Sequence, residues 1–105
     1  MSAQTKFQIK GPTLIVTAPF ELDDRQAEEE GFLQAVDRLL DQRSKALTID
    51  LVHAGGLSST AIALTIAAHR KAGAKGKSLS LRVAKRNAMA VRVSGLTKLL
   101  DVELI

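Results

Sequence analysis

The period of the apolar pattern switches repeatedly along this chain, and that switching limits the folds open to it. Phe7-Gln8-Ile9-Lys10 alternates apolar with polar residues until Gly11-Pro12 interrupts it. Thr13-Leu14-Ile15-Val16-Thr17 is a β-branched run, and Pro19 closes it. The two runs predict a pair of strands joined by a tight turn. The period then lengthens. Phe32, Val36, Leu39 and Leu40 recur at i, i+4, i+7 and i+8 with Leu33 beside them, the stripe of a helix lying on a sheet. Asp23 or Asp24 can cap this helix, Glu28, Glu29 and Glu30 occupy its first half, and Arg38 and Arg43 lie near its end. That polarity suits the helix dipole, so a helix is expected over 24–42.

The alternation of periods continues to the end of the chain. Ala46 to Leu51 is a short apolar run suited to a buried strand. Ala54-Gly55-Gly56 signals a turn, Ser58 or Ser59 is a natural N-cap, and an Ala-rich helix follows to about Ala72. Ile62 and Ile66, at i and i+4, are expected on its buried face. Arg70-Lys71 followed by Gly73 and Gly76 marks its end. Ser78 to Val83 alternates like a strand. Lys85 to Val93 reads as a short helix with Met89, Val93 and Leu96 as its stripe, closed by Ser94-Gly95, and Val102 to Ile105 as a last strand. The order β-β-α-β-α-β-α-β argues for an α/β domain with a mixed or parallel sheet under helical cover.

Length and residue usage narrow the function classes. The 105 residues amount to one domain. The absence of cysteine removes disulfides, thiolate metal sites and a cysteine nucleophile, and points to a reducing, cytoplasmic setting. No apolar run approaches a membrane span, and Met1 to Lys6 leads into no signal core. Residues 1–52 hold six Lys/Arg and nine Asp/Glu, and residues 53–105 hold nine and two, so the halves carry −3 and +7. A basic half suits nucleic acid or an acidic protein surface, or is simply a solvated set of helix ends and strand edges. With three Phe and no Trp or Tyr there are few platforms for stacking bases, which counts against a nucleic-acid partner.

Catalytic patterns are missing. There is no G-x-x-x-x-G-K-[ST] and no G-x-G-x-x-G. The Ala54 to Ser59 loop does lead into a helix N-terminus, which keeps an anionic small molecule open as a further reading. His53 and His69 are too far apart for an i, i+4 metal pair, and no third ligand is indicated. Asp50, His53 and Ser58 lie too close along one strand and its loop to assemble a triad. The carboxylates around Glu28 form a solvated helix face. The expectation is therefore a protein that is not an enzyme and has no cofactor or metal. What remains is the hydroxyl cluster Ser58-Ser59-Thr60. One serine is accounted for as the N-cap and the others as small filler; alternatively, a helix start also tolerates a phosphate without unfolding.

At this point the sequence resembles the STAS domains, which include the bacterial anti-sigma factor antagonists. Phe20-Glu21-Leu22-Asp23 is similar to the family's Gly-Glu-Leu-Asp segment, and Leu47-Thr48-Ile49-Asp50-Leu51 to its central strand. Leu57-Ser58-Ser59-Thr60-Ala61 falls where the family has an Asp-Ser-Ser-Gly-type motif. Gly76 with Leu79-Ser80-Leu81, and Val93-Ser94-Gly95-Leu96, match later segments, so the likeness runs over nearly the whole chain. It implies a STAS-like domain over 1–105, a small mixed sheet with helices mainly on one face. By position, Ser59 takes the phosphoacceptor's place, Ser58 replaces the family's Asp, and Thr60 and Ala61 replace the Ser and Gly that follow. Phe20 replaces the early glycine. The function implied is a switch: an anti-sigma factor that is also a serine kinase binds the domain and inactivates it by phosphorylation, and a cognate phosphatase reverses this. ATP and Mg²⁺ would belong to the kinase. His53, Gly55, Gly56 and Leu57 would form the partner interface. Family members that are not phosphorylated serve as scaffolds in transporters and signalling complexes, so a constitutive scaffold stands as the alternative.

Overall fold

The computed structural model describes residues 6–20 and 25–105. Five strands, β1 (Phe7–Lys10), β2 (Thr13–Val16), β3 (Ala46–Asp50), β4 (Ser78–Val83) and β5 (Asp101–Leu104), form one sheet in the order β1-β2-β3-β4-β5. β1 and β2 are antiparallel across the Gly11-Pro12 turn, and every later pair is parallel. The helices are α1 (Arg25–Leu40), α2 (Ser59–Ala74), α3 (Ala88–Ser94) and α4 (Leu96–Leu99), with a 3₁₀ turn over Lys85–Asn87. The mixed α/β sheet is thus the class expected from the alternating periods. The proposed caps Asp23 and Asp24 lie outside the described residues.

Strand order in space follows strand order in the chain, and this decides where the helices go. Each crossover steps one position in the same direction, and crossovers of one hand then deposit their helices on the same face. That face carries Leu14 and Val16 of β2, Leu47 and Ile49 of β3, and Leu79, Leu81 and Val83 of β4, all buried. Phe32, Ala35, Val36, Leu39 and Leu40 of α1 pack onto it, an i, i+3, i+4, i+7, i+8 face. The intervening strand residues Ile15, Thr48, Ser80 and Arg82 are only half-buried, because no helix among the described residues crosses the other face.

All three phenylalanines meet in one cluster. The Phe7, Phe20 and Phe32 rings have centroids 5.9–6.0 Å apart, with Phe32 edge-on to both others. Phe20 therefore has a packing role that ties the segment after β2 to α1. Gly31, in mid-helix, is explained by the same cluster: a Cβ there would sit 3.0 Å from the Phe7 ring. Lys77 closes the far end of α1 by donating to the carbonyls of Leu40 (2.7 Å) and Gln42.

Two expected apolar stripes differ in the structure. On α2 the buried residues are Ala61, Leu64, Thr65, Ala68 and Ala72, while Ile62 and Ile66 are half-buried at the flank of the core. Small side chains let the helix backbone approach the sheet, and the branched residues are displaced to the margin. The Thr65 hydroxyl is satisfied internally, donating to the Ala61 carbonyl at 2.9 Å. The stripe Met89-Val93-Leu96 does not form either. Met89 is 66% exposed and Val93 78% exposed, whereas Val91 and Leu96 are buried. The chain leaves helical geometry at Gly95 (φ 80°), so Leu96 belongs to a separate turn with its own phase.

Candidate functional site

The candidate site is the connection from β3 to α2 and the first turn of that helix. Asp50, the last residue of β3, is buried and starts the loop. Its Oδ1 accepts the Val52 N–H at 2.9 Å, and its Oδ2 accepts from Arg82 Nη1 at 3.4 Å. Arg82 Nε also lies 3.5 Å from Glu103 Oε1, without hydrogen-bond alignment. The Asp50 carboxylate is therefore committed to holding the loop and to β4, and is not placed as the third member of a triad with His53 and Ser58.

The loop is fixed at its other end by a side chain that sequence reasoning did not single out. Asn87 is buried, and its Nδ2 donates to the Gly55 carbonyl at 3.0 Å while its Oδ1 accepts the Leu57 N–H at 3.3 Å. This amide thus spends both halves on the proposed interface loop. By position it is a natural N-cap for α3, yet it makes no such cap bond. Nothing in the sequence pattern distinguishes an Asn used as a cap from one used as a clamp 30 residues upstream.

Of the interface residues read from sequence, His53 and Gly56 are exposed, Gly55 is half-buried, and Leu57 is half-buried against the core. His69 is half-buried on α2 and distant in sequence from any second ligand. No group of three or more His, Cys, Asp or Glu able to hold a metal occurs among the described residues.

The three hydroxyls divide their work. Ser58 is the N-cap of α2, with extended backbone (φ −76°, ψ 167°) and its Oγ accepting the Ala61 N–H at 3.1 Å. Ser59 is exposed, and its hydroxyl has no hydrogen-bond partner among the described residues. Thr60 is half-buried. The first turn of α2 carries no acidic residue. A negative charge added at Ser59 thus meets the positive end of the helix dipole and leaves the cap in place. The same turn is a less open anion cradle than the glycine loop suggested, because the Leu57 and Ala61 amides are already taken by side chains.

α1 borders this turn. Arg25, Glu29, Ser59, Thr60, Ala63 and Leu64 line one depression, with Arg25 Nη2 held loosely by Glu29 Oε2 at 3.7 Å. Arg25 is the second residue that sequence reasoning passed over, since only tertiary packing brings α1 beside α2. No helix among the described residues is long and apolar enough to cross a membrane. No protein-family model matches this sequence, and comparison with curated proteins gives no match.

Proposed function

We propose that this domain is a non-enzymatic protein-interaction switch of the anti-sigma factor antagonist type, working in the cytoplasm. A partner that is both anti-sigma factor and serine kinase engages the loop from His53 to Leu57, and phosphorylation at Ser59 inactivates the domain until a phosphatase removes the group. ATP and Mg²⁺ are the kinase's, and this chain supplies only the hydroxyl.

The observation that carries the reading is the division of labour at the start of α2. Ser58 is engaged as the cap, so Ser59 stands exposed with a free hydroxyl at the position the STAS resemblance gives to the acceptor. A phosphate there adds close to two negative charges to the contact surface while the helix dipole tolerates them. The loop beside it is held at both ends, by Asp50 and by Asn87, so a partner meets a preformed surface.

One observation favours the constitutive scaffold instead: a kinase that reads the family's carboxylate finds Ser58 in its place. The test is a phosphopeptide mass spectrum of the protein from its own cells, paired with partner affinity for wild type, Ser59→Asp and Ser59→Ala. The switch requires phosphate on Ser59, weakened binding by Ser59→Asp, and retained binding by Ser59→Ala. Equal affinity for all three, with no phosphate on Ser58, Ser59 or Thr60, establishes the scaffold.

A further inference from the structure

The seam between α1 and α2 follows one register. At its C-terminal end Asp37 Oδ1 accepts from Lys71 Nζ at 3.1 Å, and Asp41 Oδ1 lies 3.6 Å from Lys75 Nζ. Each lysine stands 34 positions after its aspartate. The same offset carries Arg25 to Ser59 and Glu29 to Ala63, and these are the residues that share the depression at the N-terminal end. The seam therefore carries two ion pairs at its C-terminal end, and at the same offset its N-terminal end sets a guanidinium and a neutral hydroxyl on one depression.

We propose that Arg25 is the intramolecular partner of a phosphate on Ser59, which would add an ion pair at the N-terminal end of the seam. This rests on Ser59 being the modified residue. Among the described residues, the ion pair that Arg25 makes in the unmodified protein is the exposed one to Glu29 four residues on. A phosphate opposite it is a stronger acceptor, with three oxygens for a planar fork of N–H donors. The guanidinium exchanges one acidic partner for another, and Glu29 is released to solvent. The phosphate is then held against α1 instead of swinging free.

Among the described residues, the charged groups facing the phosphate are Arg25 and Glu29 from α1, while Glu28 of the same helix turns to Lys6. α2 carries no charged residue before Arg70, and the loop offers only the exposed His53. The experiment installs phosphoserine at position 59 during synthesis by codon reassignment, so it needs no cellular kinase. Its ³¹P resonance is titrated in wild type, Arg25→Gln, Arg25→Lys and Glu29→Gln. The second phosphate ionisation should fall about half a pH unit lower in wild type than in Arg25→Gln, with Arg25→Lys between them and Glu29→Gln lowest, because an adjacent cation favours the dianion and a carboxylate opposes it. All four proteins keep the same residues before position 25, so the comparison isolates the seam. Superimposable titrations of wild type and Arg25→Gln overturn the proposal. An absence of phosphate on Ser59 in cells, with the titrations separated, instead overturns the switch and leaves the pairing as a property of the scaffold.

Discussion

The two faces of the sheet are made from alternate residues of the same strands, yet different forces hold them. On β4, Leu79, Leu81 and Val83 lie buried under helices, while Ser80 and Arg82 between them face the bare side. The covered face is stabilised by apolar area removed from water. The bare face is stitched by polar ties: the Thr48 and Ser80 hydroxyls at 3.0 Å, and Arg82 reaching Asp50 on β3 and Glu103 on β5. Exposed hydrogen bonds and ion pairs contribute little each, because water competes for both partners. The covered face therefore carries the stability of the domain. The bare face sets the position of Asp50 and, through it, the start of the site loop.

That division can be broken one residue at a time. Leu81→Ala should have the largest effect, about 2–5 kcal/mol in denaturant unfolding, because it empties a fully buried site at the centre of the sheet. A loss below about 1 kcal/mol would mean the covered face is not the stabilising one. Asp50→Ala should cost roughly 1–3 kcal/mol, since it strands the half-buried Val52 N–H and removes an Arg82 partner. The same variant should shift the amide resonances of the loop from Val52 to Leu57, and unchanged loop resonances would separate Asp50 from the site. Ser80→Ala should have the smallest effect, under about 1 kcal/mol, because Thr48 regains a water partner on the open side. A cost equal to that of Leu81→Ala would erase the contrast between the faces.

The parts of the fold legible in sequence were those governed by period and by capping chemistry. The alternation of two and 3.6 placed the strands and the two long helices within a few residues, and Ser58 emerged as the cap that serine's preference suggested. The inward faces of α2 and α3 were not legible. On α2 the sequence offers isoleucines and alanines on neighbouring stripes, and close packing selected the small ones. On α3 the phase was set by a 3₁₀ turn and by Gly95, so Met89 and Val93 came to face solvent. Of the site, the hydroxyl cluster and its loop could be read, because they are contiguous. Asn87 and Arg25 could not, because each reaches the site from another element, and a single sequence carries no record of such pairs.

The sequential strand order has a consequence for how the chain assembles. Every parallel pair is closed by a single crossover, so no strand waits for a distant segment to return and insert between two others. Loop-closure entropy is met in instalments of one helix and one strand. The antiparallel β1–β2 hairpin, the shortest closure in the sheet, offers a template on which β3, β4 and β5 can add in turn. The clamp of Asn87 on the β3–α2 loop requires the chain after β4 to have docked, so the site surface depends on a segment some 30 residues further along the chain.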